Sequence, residues 1–295
     1  MSQALNGGAS DDERVGVITP DWTTPANVRA LLTTRVGGYS LPPYDGLNLG
    51  SHVGDTPAAV ARNRAVLRGR LPAEPIWLSQ VHGVEVADAA DLEADADGKS
   101  AAVPVADAIV ARAPGRVCVV MTADCLPVLL CDVDGTVVAA AHAGWRGLAD
   151  GVLEATIARM GVAPGRLRAW LGPAIGPDHF EVGDEVRAAF VRTDPLAAAA
   201  FRPVACEGVA TGGAAMAGKW WADLFILARQ RLLRAGVTHI EGGGVCTYAN
   251  GRRFYSYRRD GRTGRFASMV WLEPGLAPSM ASAAGEDDDG NGRRY

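Results

Sequence analysis

The chain has 295 residues, 48% of them apolar, a formal net charge of −4 and a pI of about 5.8. That is enough apolar material for one large domain or two small ones, and the acidic balance excludes a general nucleic-acid binder, although not a local cluster of arginines. No stretch reaches the ~18 uninterrupted apolar residues of a membrane span. MSQALNGGASDDER at the start has neither the basic opening nor the apolar run of a secretory signal.

In chain order, residues 1–14 are polar and Gly-containing and are expected to form a disordered tail. Thr56 and Pro57 open a helix running to about residue 70, with Thr56 as cap, Pro57 in the first turn and Gly69 near the end. Residues 117–121, 126–131 and 136–141 are short runs rich in Val, Leu and Ala that read as buried strands. Asp134-Gly135 between the last two is a hairpin signal. Apolar residues at 148, 152, 153, 157 and 160 keep a helical period over 148–160. A short helix is expected over 184–191 with Asp184 at its N-cap. A longer one is expected over 221–235, stopped by Gly236 and holding Trp220 and Trp221 against the core. From about 275 the chain is small, acidic and Gly-rich, and 275–295 read as a second disordered tail. No repeat and no linker divide 15–274, so one domain is expected. Strands and helices mix without strict βαβ alternation, which favours an α+β fold.

Five cysteines (118, 125, 131, 206 and 246) with no CxxC pair argue against a disulfide framework and fit a reducing cytoplasm. The chain has only five histidines. His82 in QVHG and His142 in AHAGWRG each end an apolar run just before a glycine, where a strand gives way to a turn, a common setting for site residues. Cys125 in TADC lies between two expected strands. Imidazole and thiolate are both good zinc donors, and three protein ligands leave a fourth position open. The spacings are not those of zinc fingers, however, and on spacing alone all three residues could equally be inert and buried. Asp124, beside Cys125, is placed to orient a ligand. In HAGWRG, Gly144 and Gly147 let backbone approach a ligand, and Arg146 adds a planar donor for phosphate or carboxylate. Arg35 in TRVGG, His52 in a Gly-rich loop and the Arg/Tyr-rich run 252–265 are further basic features. Each could also be a solvated surface.

Taken together, TTRVGG, LNLGSHVGD, NR, LSQVHG, TADCLPVLL, AAAHAGWRGL, WLGPAIGP, FEVG, CTY and FYSYRRDGRTGR occur in order from about residue 33 to residue 271. This series resembles the YfiH family, also called laccase-domain, polyphenol-oxidase-like or peptidoglycan editing factor proteins. The resemblance implies a mixed β-sandwich flanked by helices in α/β/β/α layers. It implies zinc, with copper as a possible substitute, held by His82, Cys125 and His142. It also implies phosphorolysis of adenosine, inosine and methylthioadenosine, together with adenosine deamination. Arg35, Asn48, Gln80, Asp124, Arg146 and Arg259 are the residues expected to meet nucleoside and phosphate. The stretch 207–218 reads as a loop insertion outside the family pattern.

Four functions compete on these residues: the nucleoside enzyme; a multicopper laccase, for which five histidines are too few; a cysteine hydrolase with Cys125 as nucleophile and His82 or His142 as base, suited to editing peptidoglycan precursors; and a zinc-stabilised binding module. HxE…PCxxC, the signature of cytidine-type deaminases, is absent.

Overall fold

The computed structural model describes residues 15–92, 103–205 and 215–276. In chain order these form β1 (Val15–Ile18), β2 (Val28–Gly37), α1 (Pro57–Arg68), β3 (Pro75–Ile76), β4 (Val86–Asp88), β5 (Ala108–Ala111) and β6 (Val117–Thr122). Then come β7 (Leu126–Asp132), β8 (Val138–Ala143), α2 (Trp145–Asp150), α3 (Val152–Met160), β9 (Leu167–Leu171), β10 (Glu181–Gly183) and α4 (Asp184–Val191). The chain continues through β11 (Phe201–Ala205), β12 (Ala215–Ala222), α5 (Leu224–Arg234), β13 (His239–Gly242), α6 (Tyr257–Asp260) and β14 (Phe266–Leu272).

The uninterrupted apolar runs of β6, β7 and β8 are explained by burial on both faces. One sheet has the order β1-β2-β14-β6-β3 and another β13-β9-β7-β8-β5-β4. Their facing surfaces share one core: Leu32, Val120, Phe266 and Val270 on the first side, Ile109, Leu129, Val138 and Ala140 on the second. The opposite face of the second sheet, with Val128, Leu130, Ala139 and Ala141, packs on Leu148, Leu153, Ile157, Leu227 and Leu232 of α2, α3 and α5. Outside the first sheet, Val119, Met121 and Met269 pack on Leu47, Leu49 and Leu67 of α1 and its preceding loop. The layers are therefore helix, sheet, sheet, helix, an α+β sandwich. Small alanines in the middle strand β8 let the layers close in on both sides, and each large apolar side chain so buried contributes roughly 1.5–3 kcal/mol. A small third sheet, β10-β12-β11, is not hydrogen-bonded to these two, but its Val182, Phe201 and Ala222 join the core beneath the second sheet.

Local differences from the expected elements have clear causes. The 148–160 period belongs to two helices, α2 and α3, because Gly151 between them has φ 107° and cannot continue a right-handed helix. Thr56 is the N-cap residue of α1 but its side chain makes no cap bond, and the Asp55 carboxylate accepts its N–H instead. Gly183, not Asp184, precedes α4; Asp184 is already helical and accepts the Trp220 indole N–H. Trp220 and Trp221 are in strand β12, paired with Val182 and Glu181 of β10. Helix α5 starts only after Asp223, whose carboxylate caps Phe225 and Ile226 N–H, a bond that typically contributes about 1 kcal/mol. The hairpin at Asp134-Gly135 joins β7 to β8, with Gly135 at φ 70°. Asp132 takes up the amides of Thr136 and Val137, so β8 begins at Val138, later than expected, and reaches Ala143. Both tail assignments apart from Gly275 and Leu276, and the first part of the 207–218 insertion, lie outside the described residues; 215–218 belong to β12.

Candidate metal centre

Antiparallel pairing of β7 and β8 sets Pro127 opposite His142 and Leu126 opposite Ala143. Cys125, immediately before β7, therefore arrives beside His142 near the end of β8. His82 comes from the β3–β4 connection with φ 63°, a left-handed conformation uncommon for a non-glycine residue. Asp107 holds it there. Its carboxylate accepts the N–H groups of Val81, His82 and Gly83 at 3.1, 2.9 and 2.7 Å. The same fully buried carboxylate accepts from His142 Nδ1 at 2.8 Å, and its backbone carbonyl accepts the His142 N–H. One side chain thus fixes the His142 ring and the backbone turn that carries His82. The lone acid in the apolar run VADAIV was the signal for it.

The ligating atoms of His82, Cys125 and His142 lie within 4.8 Å of one another. With Nδ1 on Asp107, His142 keeps Nε2 for a metal. The Cys125 sulfur is 3.6 Å from His82 Nε2, close to the about 3.6 Å separating sulfur and nitrogen on one tetrahedral zinc. Gly144 closes the cluster from behind: a Cβ there would lie 2.7 Å from His82 Cδ2 and 3.1 Å from the Cys125 sulfur. These residues fit a single metal ion with open coordination, and the His142–Asp107 bond is the kind of outer support that fixes a metal-binding imidazole.

The electrostatics match. Burial pushes the Cys125 thiol up, but His142 and then His82 more than reverse this and bring it down to about 6. Burial works against charge on His142, while the Cys125 thiolate and Asp107 raise it to about 9. Against its own burial, Asp107 is held below the usual carboxylate range by His142 and the amides of Gly83 and Val81. In metal-free protein, the thiolate fills as pH rises through about 6. Alkylation of Cys125 by iodoacetamide is therefore expected to be half-maximal near pH 6, whereas an unfolded thiol titrates near about 8.5. A midpoint above pH 8, followed by mass spectrometry, would contradict this arrangement.

The other sequence candidates are placed as follows. Asp124 (φ 99°) does not bond to the cluster: its carboxylate accepts from Thr247 Oγ1, Ser256 Oγ and Arg258 N–H. It ties two later segments, the loop at Thr247 and the start of α6, to the Cys125 turn. Gln80 spends its amide on the backbone of Met121, accepting its N–H at 2.8 Å and donating to its carbonyl at 2.9 Å. Asn48 is fully buried and bonds Gly50, Asp55 and the Arg265 N–H. Arg35 pairs with Asp45 at 2.9 Å, and Arg259 makes a two-pronged pair with Asp260 and caps three carbonyls. Arg146 is exposed, stacked over Trp145, and has no carboxylate partner among the described residues. Two further basic side chains gather near the cluster. Half-buried Arg265 feels the charges of Cys125 and Asp124, and His52 is held below its usual value by partial desolvation, Arg265, Arg64 and His142. Arg265 closes the FYSYRRDGRTGR run, and Arg64 is the arginine of the NR pair.

A helix-flanked β-sandwich carrying one open His–Cys–His cluster defines the class. Residues 29–273 match the family model described as multi-copper polyphenol oxidoreductase laccase, and the chain belongs to this family. A Pseudomonas aeruginosa protein named purine nucleoside phosphorylase is 55% identical over 87% of this chain and 98% of its own length. The purine nucleoside phosphorylase YfiH of Escherichia coli is 51% identical over 87% of the chain and 98% of its own. Among solved structures, a Neisseria meningitidis protein matches with TM-score 0.78 and 50% identity over 88% of this chain and 99% of that one. Bacillus licheniformis YfiH matches with TM-score 0.70 and 30% identity over 83% and 93%.

Proposed function

We propose that the protein is a zinc-dependent purine nucleoside phosphorylase acting on adenosine, inosine and methylthioadenosine. The observation that carries this reading is the His82–Cys125–His142 cluster in a chain spanning nearly the whole length of relatives named for that activity. When bound, zinc supplies a Lewis acid able to polarise an oxygen or the purine. Copper would compete for the same ligands. His82, Cys125 and His142 would hold the ion, with Asp107 positioning the His142 ring and the turn that carries His82.

In phosphorolysis a phosphate oxygen attacks the sugar C1′ as the C1′–N9 bond breaks and the departing base takes up a proton. Arg35 and Arg259 are committed to carboxylates. We therefore assign phosphate to Arg146 and Arg265, with Arg64 adding positive charge and His52, held neutral, adding a hydrogen-bonding ring. Asn48, Gln80 and Asp124 keep the supporting loops in place through their hydrogen bonds. Adenosine deamination, with water replacing the C6 amine, is assigned to the same cluster.

The family description speaks of copper oxidation, but a multicopper centre needs many imidazoles. Among the described residues only His82 and His142 share a metal-type cluster. A second reading has a specific observation in its favour: Cys125, His142 and Asp107 line up as thiolate, imidazole and carboxylate, the order of a cysteine hydrolase acting on peptidoglycan precursors. Chelation separates the two, since it silences a metal enzyme and spares a cysteine hydrolase.

The experiment is base release from inosine and adenosine with and without phosphate. Phosphate-dependent release is expected, and Cys125→Ala should lose bound metal and activity together, by about 1000-fold or more in rate. No release from metal-loaded protein in phosphate would overturn phosphorolysis.

A further inference from the structure

Outside the candidate centre, Cys246 is a further free thiol among the described residues, and it is half-buried. Cys246 lies in the loop after β13, and its sulfur accepts the N–H of Gly176 at 3.2 Å and of Ala249 at 3.5 Å. His179 Nδ1 is 3.6 Å from the same sulfur. The His179 ring is stacked on Tyr248, centroids 4.4 Å apart, which fixes its orientation. Gly176 lies close against it: a Cβ there would sit 3.0 Å from Cys246 Cβ and 3.1 Å from the sulfur. Two backbone N–H donors converge on the sulfur, and the His179 ring stands within reach of the thiol proton. Access is open on the other side: Cys246 is half-buried, Val245 is exposed, and nothing lies within 4 Å of a Cβ at Gly244. Cys118 and Cys131 contrast with it. Both are buried in apolar strands, and burial pushes Cys118 up strongly and Cys131 to about 12.

We propose that Cys246, cradled by Gly176 N–H, Ala249 N–H and His179, is a modification site that forms a mixed disulfide with a low-molecular-weight disulfide. The Cys246 thiolate attacks one sulfur of the disulfide, a new S–S bond forms, and the old S–S bond breaks. The other half leaves as a thiolate and takes the proton that His179 received from Cys246. No other oxidant is required, and a dithiol reverses the step.

The adduct is felt at the metal centre through short connections. Thr247, next in sequence, donates to Asp124 at 2.6 Å, and its N–H bonds the Ala174 carbonyl. Ile175, beside Gly176, donates its N–H to the Asp124 carbonyl. Bulk on Cys246 presses on Gly176 and strains both links to the residue preceding Cys125. This consequence rests on the proposed nucleoside activity, while the thiol chemistry does not.

The test treats the full-length, metal-loaded protein with glutathione disulfide and follows each cysteine by peptide mass spectrometry, alongside base release. Cys246 should be modified about tenfold or more faster than Cys118 and Cys131, His179→Gln should slow it about tenfold, and dithiothreitol should restore the thiol. Modified protein should lose most of its base release, and Cys246→Ser should keep activity in the presence of the disulfide. Cys246 left unmodified while a cysteine peptide in the same tube reacts would overturn the proposal, as would a His179→Gln rate equal to that of the parent. Absence of base release from untreated protein would instead strike the phosphorylase reading, with adduct yield still deciding this one.

Discussion

Asp107→Ala is expected to lower stability by about 3–5 kcal/mol, because it breaks a buried pair with His142 and leaves three part-buried consecutive amides unpaired. A domain of ordinary stability, about 5–15 kcal/mol, would be close to unfolding, and a urea titration reads the loss. Asp107→Asn separates stability from site geometry. It keeps the size, but its NH2 group must face an amide N–H and the imidazole loses its charged partner. Folded protein with metal affinity reduced roughly 10- to 100-fold is expected, measured by competition with a chelator. Unchanged affinity in folded Asp107→Asn would mean that the two imidazoles are positioned by something else.

Gly144→Ala is expected to fold and yet to disable the centre. The added methyl would lie 2.7 Å from His82 Cδ2 and 3.1 Å from the Cys125 sulfur, so the ligands must part. Misplacement on the scale of an ångström costs about 100-fold in rate, and metal affinity should fall with it. Far-ultraviolet circular dichroism should match the parent. Gly165→Ala is the control, since nothing lies within 4 Å of a Cβ there. A Gly144→Ala protein with full metal content and base release would show that the cluster opens more widely than drawn here.

The residue types that carry chemistry were legible along the chain. His82, Cys125 and His142 stand at the ends of apolar runs because a buried strand must surrender its side chains to solvent or to a site where it turns. The sandwich core was legible for a similar reason: runs without polar alternation, such as 126–131, need apolar partners on both faces. Boundaries were less legible where one residue overruled a period, as Gly151 did within 148–160. The two tryptophans at 220 and 221 satisfy a helical pattern, yet strand pairing with β10 took them, and Asp223 capped the helix only after them.

Roles that depend on which side chains the folded backbone turns toward each other were not legible, even between near neighbours in sequence. Arg35 and Arg259 read as free phosphate donors, but Asp45 and Asp260 occupy them. Asp124 reads as support for the ligand beside it, but its positive φ turns the carboxylate toward Thr247, Ser256 and Arg258. By itself the sequence determined the α+β class and the three ligand-type residues, because apolar patterning and side-chain chemistry are local properties; the layers followed from the resemblance of the ordered motifs. Only the tertiary structure decided that those three meet, that Asp107 fixes the His142 ring and the turn carrying His82, and which arginines lack a carboxylate partner. Such facts depend on strand register and on contacts formed in the folded chain, as between Asp107 and His142, thirty-five residues apart, and no local pattern encodes them.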